Sequence, residues 1–332
     1  MPESLNHQAV SLIETLRARE RIRPFLQPTQ CLPNAELSQL LDAEVFIKYE
    51  NHNPTGTFKI RGGLNLMAQL ADDAIDGVIT FSTGNHGLSV AYCAAQFEIP
   101  ATIVVPKNNN PAKNRLIKNA GATLIEAGDN FEQAAQVVEK LCREQSLYYV
   151  HPANQPQLIN GVGSEFLEIL ETVPHLDVMI VPIGAGSEAA AAVTILKGIN
   201  PDIEIYAVQA EASSAAWQSW KAGEITSSSN HTFADGVATG IAYELPFSIY
   251  KDQLEDFVLL SEDEIYQSIA LAGYYSHSLL EGAGASTIMA AIKLKDRLKG
   301  KKVALQFSGG NASSEEFRKA ALLPEFERGY VA

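Results

Sequence analysis

Short runs of β-branched and aromatic residues alternate with amphipathic helical spacing along almost the whole of this 332-residue chain. Strand-like runs fall at Val45–Tyr49, Gly77–Phe81, Ala101–Val105, Thr123–Glu126, Leu147–Val150, Val178–Ile183, Glu204–Val208 and Val303–Phe307. Helical spacing fills most of the gaps, as in Gly87–Phe97, Phe131–Arg143, Gln157–Leu170 and Ala189–Lys197. Ser261-Glu262-Asp263-Glu264 has the residues of a capping box, and Ile265, Ile269 and Ala272 continue an apolar helical stripe from it. When each strand is followed by a helix, the next strand returns parallel to the first. Several of the strand runs are apolar almost throughout, as expected when helices cover both faces of a sheet. The pattern predicts an α/β fold with mainly parallel sheets flanked by helices.

The length exceeds what one small core organises, so two domains, or one large domain with an insertion, are expected. Hydrophobic residues make up 46% and charged residues 19%, the balance of a globular protein with an ordinary core. A net charge of −14 with no basic cluster argues against nucleic acid and anionic membrane surfaces as partners. It suits a small ligand met by a few local cationic groups and backbone donors. No apolar run is long enough to span a bilayer, and Met1–His7 lacks the basic-then-apolar order of a signal peptide. Three widely spaced cysteines, Cys31, Cys93 and Cys142, point to reduced thiols and a cytoplasmic location. There is no internal repeat. The stretch from Ala222 to Pro246, which contains Asp235-Gly236, has little regular pattern and reads as a long loop.

Asn53-Pro54-Thr55-Gly56-Thr57-Phe58-Lys59-Ile60-Arg61-Gly62-Gly63 puts a lysine where a turn becomes a helix. The positive end of the helix dipole is a poor site for a cation, so Lys59 reads as an amine nucleophile, or else as a surface lysine with its head in water. Three strand-to-turn junctions could each hold an anion. Ser82-Thr83-Gly84-Asn85-His86-Gly87 offers hydroxyl and amide donors at a helix start, or simply a capping cluster. Gly184-Ala185-Gly186-Ser187-Glu188-Ala189 is small enough for a phosphate to approach the backbone. The same string fits the relaxed dinucleotide fingerprint, which would make the protein a nicotinamide-dependent oxidoreductase; the acidic residue that should follow is late, at Glu211. Ser308-Gly309-Gly310-Asn311 could offer one neutral hydrogen bond to a ligand ring, or be a plain turn.

Taken together and in this order, the segments Lys48–Gly63, Ser82–Gly87, Pro182–Ser187 and Gln306–Asn311 resemble the β-family, or fold type II, of pyridoxal-phosphate enzymes. Within it they are most similar to the threonine/serine dehydratase and serine racemase branch. The resemblance implies a two-domain, tryptophan-synthase-β-like fold, with residues 1–52 and 151–332 forming a large cofactor-binding domain and residues 53–150 a small inserted α/β domain. It implies a homodimer acting on a small amino-acid substrate. By resemblance, Lys59 carries the cofactor and takes the Cα proton, Phe58 lies against the ring, and Asn85 bonds the ring hydroxyl. Gly184, Ala185, Gly186, Ser187 and Glu188 cradle the phosphate, Ser308 meets the ring nitrogen, and Gly236 lies beside the ring. Ser82, Thr83, Asn85 and His86 receive the substrate carboxylate. The implied activity is an ammonia-lyase that converts a β-hydroxy amino acid such as L-threonine or L-serine to a 2-oxo acid and ammonia. The alternative is an amino-acid racemase.

The chain departs from that branch in three places. Its phosphate loop has alanine and serine among the glycines, followed by Glu188, whose carboxylate is expected to point away from the phosphate or pair with a cation. Thr83 stands where serine racemases of the mammalian type have serine on the opposite face of Cα, so a catalytic role for its hydroxyl is retained but racemisation is disfavoured. Gln209 and Ala215 occupy positions where those racemases place carboxylates for a divalent metal, and no metal is expected.

Overall fold

In a computed structural model, the structure describes residues 9–73, 75–107, 109–128 and 131–330. The Met1–His7 segment, read above for targeting, lies outside them. The chain divides into two compact units, Met1–Gln27 with Lys59–Val162, and Pro28–Phe58 with Gly163–Ala332. These bounds differ from the 1–52, 53–150 and 151–332 division read from the sequence. Helix Leu12–Ile22 packs on helix Lys59–Leu70, which draws the N-terminal segment into the first unit. One of the three changes of unit falls at the Phe58–Lys59 peptide bond.

The described residues contain ten strands: β1 (Cys31–Pro33), β2 (Glu44–Tyr49), β3 (Val78–Phe81), β4 (Ala101–Val105), β5 (Thr123–Glu126), β6 (Tyr148–Tyr149), β7 (Val178–Pro182), β8 (Glu204–Ala210), β9 (Asp256–Leu260) and β10 (Lys302–Phe307). The first unit holds a parallel sheet in the order β5-β4-β3-β6. Its core is built from Ile60, Leu64, Met67, Val90, Ile103 and their neighbours. The second holds a sheet in the order β1-β2-β10-β7-β8-β9, parallel except for the short edge strand β1. All five residues of β7 are buried, which accounts for its uninterrupted apolar sequence. Helix Gly282–Lys293 packs along β7 to β10, and every residue from Gly282 to Ala291 is buried. A helix covered on all sides has no polar stripe to announce it. The α/β class with mainly parallel sheets is as the sequence predicts.

The register matters for the site. In a parallel sheet the segments that leave the carboxyl ends of neighbouring strands gather along one edge, where such folds place their ligands. Strands β2, β10 and β7 are adjacent. The segments leaving their carboxyl ends, Glu50–Phe58, Ser308–Asn311 and Gly184–Ser187, therefore lie side by side. In the first unit the Ser82–Gly87 turn leaves β3, next to the end of β6.

Candidate active site

The turn that delivers Lys59 is bound to the turn that carries Ser308. Phe58 N–H donates to the Ser308 carbonyl (3.0 Å), Gly310 N–H donates to the Gly56 carbonyl (2.9 Å), and Asn311 Nδ2 donates to the Thr55 carbonyl (2.9 Å). Thr57 and Gly309 form an isolated antiparallel bridge. Upstream, Asn53 Nδ2 donates to Glu50 Oε2 (2.6 Å) and to the Glu50 carbonyl (3.0 Å). Glu50 in turn lies 3.7 Å from Lys48 Nζ, which also donates to Glu168 and to the Thr29 carbonyl. All three charged side chains are almost wholly buried. Buried charges persist only when paired and hydrogen-bonded, so the cluster braces the backbone that leads to Lys59 rather than offering a reactive group. Cys31 lies beside it. Burial pushes its thiol up to about 11, against the opposing charge of Lys48, so it stays protonated.

Lys59 is the first residue of helix Lys59–Leu70 and is half-buried. Its carbonyl accepts a hydrogen bond from Ser89 Oγ (2.7 Å) in the helix that follows the Ser82–Gly87 turn. That turn is ordered from within and by a residue after β4. Ser82 Oγ accepts from Gly84 N–H (3.3 Å), and Asn109 Nδ2 donates to the Thr83 carbonyl (3.4 Å). Ser82, Thr83 and Asn85 are half-buried, at the start of helix Asn85–Gln96, whose first-turn N–H groups must be satisfied from outside the helix. His86 is different. Its ring is buried, with Nε2 3.1 Å from Thr80 Oγ1 and 3.4 Å from the Val150 carbonyl. Thr80 Oγ1 itself donates to that carbonyl, so Nε2 carries the proton and donates to the threonine oxygen. The imidazole thus props the turn, and what His86 can offer an anion is its backbone N–H.

Burial, with the charge of Lys59 added, lowers the His86 pKa from 6.5 to about 3. Between those two values the unfolded chain binds a proton that the folded chain refuses. Stability is therefore expected to fall as pH drops below about 6.5 and to level off near 3. Thermal unfolding followed from pH 7 to pH 4 checks this, and His86→Gln should flatten the decline relative to the parent protein.

The Gly184 turn is shaped for close backbone approach. A Cβ on Gly184 would stand 2.2 Å from the Gly236 carbonyl oxygen, so this residue must be glycine for the two loops to touch. Gly186 has φ +89°, a conformation that side chains disfavour, and it caps helix Ser187–Ala192. The helix runs on as a π turn through Lys197. Gly184 and Ala185 are half-buried, whereas Ser187 and Glu188 are buried. A tight glycine turn at a helix start, beside a neutral hydroxyl from Ser308 (3% exposed), fits a phosphate and the ring attached to it. Gln209, one of the positions considered for a metal, accepts a hydrogen bond from Trp217 N–H (3.1 Å). Among the described residues no group of three or more His, Cys, Asp or Glu side chains could hold a metal ion.

Comparison with known proteins decides the cofactor. The family model described as pyridoxal-phosphate dependent enzyme matches residues 22–309. The chain belongs to the pyridoxal-phosphate dependent enzyme family. An L-threonine ammonia-lyase of Thermotoga maritima is 33% identical over 304 residues, covering 91% of this chain and 76% of that one. A serine racemase of Dictyostelium discoideum is 31% identical over 316 residues, covering 93% and 97%. Among solved structures, that of maize serine racemase superposes with a TM-score of 0.89 at 28% identity, covering 94% and 97%. The fold type II resemblance, the enzyme class and pyridoxal phosphate as cofactor are thereby borne out. The nicotinamide-dependent oxidoreductase reading of Gly184–Ala189 is set aside, since the chain belongs to a pyridoxal-phosphate dependent family. No helix among the described residues is long and apolar enough to cross a membrane. Sequence reasoning did not find Lys48, Glu50 and Glu168 as a braced set. The one available signal was a pair of charged residues, Lys48 and Glu50, just after the apolar run Val45–Ile47.

Proposed function

We propose that the protein is an ammonia-lyase, a cytoplasmic homodimer that converts a β-hydroxy amino acid such as L-threonine or L-serine to a 2-oxo acid and ammonia. The observation that carries this reading is the binding of the Lys59-bearing turn to the Ser308-bearing turn, on a chain similar to a threonine ammonia-lyase. Bound pyridoxal phosphate supplies an electron sink that acidifies the substrate Cα proton. Lys59 Nζ is the amine that bonds the cofactor aldehyde and later accepts that proton. The backbone of Gly184, Ala185, Gly186, Ser187 and Glu188 holds the phosphate, Phe58 lies against the ring, Gly236 lies beside it, and Asn85 bonds the ring hydroxyl. Ser308 gives the ring nitrogen a neutral partner. A hydroxyl would not keep that nitrogen protonated as a carboxylate would, so the cofactor would supply a modest electron sink there, suited to substrates with a leaving group at Cβ.

Ser82, Thr83, Asn85 and the His86 amide receive the substrate carboxylate at the head of helix Asn85–Gln96. Anchoring it there fixes the Cα–H bond relative to Lys59 Nζ, and orientation of this kind is a large part of the rate gain. Thr83 keeps a hydroxyl near Cα but carries a methyl, which limits how closely it can approach as a second proton donor. Similarity to serine racemases supports racemisation as the second reading. A cytoplasmic setting is supported by three cysteines without a disulfide, two of them buried.

The test is a substrate panel in deuterated water, scored for 2-oxo acid and for deuterium at Cα of recovered substrate. The lyase reading expects 2-oxo acid from at least one 3-hydroxy amino acid. Deuterium exchange with inversion and no 2-oxo acid would establish the racemase instead. Light scattering of the purified holoenzyme checks the dimer.

A further inference from the structure

We propose that Asn109 and Asn114 are positioning residues for the substrate carboxylate: together they pin the Thr83–Gly84 peptide, and with it the Ser82–Gly87 turn assigned to that carboxylate. The inference rests on the function proposed above and names residues that set substrate binding in that site. Asn110 caps helix Pro111–Asn119, its Oδ1 accepting from Ala112 N–H (2.9 Å), and proline fills the first helical position. From that start the helix buries Asn114 and Ile117, which lie three residues apart on one face. Ile117 joins the apolar core of the first unit. Asn114, 7% exposed, is an amide where that face calls for a second apolar side chain. A buried amide is costly unless it is hydrogen-bonded.

Its partner is Asn109. Asn109 Nδ2 donates to Asn114 Oδ1 (2.6 Å) and to the Thr83 carbonyl (3.4 Å). One amide NH2 has two protons, so both bonds are made at once. At the other end of the same peptide unit, Gly84 N–H donates to Ser82 Oγ (3.3 Å), and Ser82 N–H donates to the Val104 carbonyl of β4 (3.1 Å). The Thr83–Gly84 peptide is therefore held both at its oxygen and at its nitrogen. Its plane sets the direction of the Asn85 and His86 amides that follow it into helix Asn85–Gln96. A Cβ on Gly84 would stand 3.7 Å from Lys113 Nζ, an ordinary contact distance, so helix Pro111–Asn119 borders the turn without crowding it. Amides fixed in this way meet a carboxylate with no ordering cost at the moment of binding. The turn and both asparagines belong to the first unit. Asn114 acts through Asn109, and Asn109 through the backbone of the turn, with no part in the bond changes.

The experiment compares wild type, Asn114→Leu, Asn109→Leu and the double variant, each saturated with pyridoxal phosphate. The change in the visible spectrum is titrated with L-alanine, which has the carboxylate but no leaving group at Cβ, and with L-alaninamide, which lacks the carboxylate. Thermal unfolding checks that each variant folds; Asn114→Leu should, because leucine suits a buried helical position, and Asn109→Leu carries the test if it does not. Loss of the link should weaken L-alanine binding by about fivefold, the worth of one hydrogen bond, and leave L-alaninamide within about twofold of wild type. The double variant should lose no more than Asn109→Leu alone, because the two residues form one chain. Unchanged L-alanine affinity in the folded variants, equal weakening of both ligands, or additive losses overturns the positioning role and leaves the lyase reading standing. Release of 2-oxo acid from 3-hydroxy amino acids by wild type is scored separately. Its absence overturns the lyase reading. Its presence without any preference for L-alanine over L-alaninamide overturns the carboxylate turn, and this inference with it.

Discussion

Replacement of Lys59 by alanine is expected to abolish covalent attachment of pyridoxal phosphate and to lower 2-oxo acid formation by at least about a thousandfold, in a protein that still folds. The fold should survive for local reasons. Lys59 opens its helix, where a cation opposes the dipole and alanine is a better helix former. The hydrogen bond from Ser89 Oγ reaches the backbone carbonyl of residue 59, which the substitution leaves in place. The turn before it remains bound through Phe58, Gly310 and Asn311. A circular dichroism spectrum like that of the parent, together with loss of the reducible chromophore and of turnover, is the predicted combination. Turnover within about tenfold of the parent would remove Lys59 from the role of base.

The second large effect is expected at Gly184. A methyl there would meet the Gly236 carbonyl oxygen at 2.2 Å, a backbone atom that cannot swing away like the end of a side chain. Gly184→Ala must therefore push apart the phosphate turn and the Asp235–Val237 segment. Overpacking of this kind costs about 1–3 kcal/mol of stability. The larger consequence falls on the cofactor, since the amides of the turn lose their common aim. Cofactor affinity is expected to drop by at least about tenfold, the equivalent of one good hydrogen bond to a charged group. Titration of the apo-protein with pyridoxal phosphate, alongside a thermal melt without it, separates the two effects. A variant with parental affinity would show that the phosphate binds elsewhere.

Much of the architecture follows from features that a chain displays locally. The strands of both sheets are apolar runs bounded by turn residues, and the capping box at Ser261 forms as its residues demand, with Ser261 Oγ and the Glu264 carboxylate each accepting from the other's backbone amide. Two strands escape such a reading. The three-residue β1 has only one buried position, and β9 begins at Asp256 with its residues unevenly covered. β1 is too short to show alternation or an apolar run, and the apolar run Phe257–Leu260 of β9 stops directly at the Ser261 capping box, so in sequence it reads as the approach to a helix. The Gly184 and Ser82 turns are visible because the residues at strand-to-helix junctions have backbone reasons to be glycine, serine or asparagine.

The supporting side chains are a different matter. Glu168 meets Lys48 across 120 residues, and no local pattern pairs them. Glu281 reads in sequence as the acidic residue that often precedes a helix, whereas its Oε1 lies where side chains on Gly309 and Gly236 of other loops would begin. His86 is read as a ligand donor from its place in the turn. Only the positions of Thr80 and Val150 reveal that its ring is already engaged. What sequence misses here is the set of long-range contacts that hold the reactive groups still.

The central claim is that the side-chain amine of Lys59 bonds the aldehyde of pyridoxal phosphate. Borohydride reduction of the holoenzyme, followed by proteolysis and mass spectrometry, tests it directly. The expected result is a single pyridoxyl mass increment on the peptide that contains Lys59. An increment on another lysine, or none on any peptide of a protein shown to bind the cofactor, would contradict it.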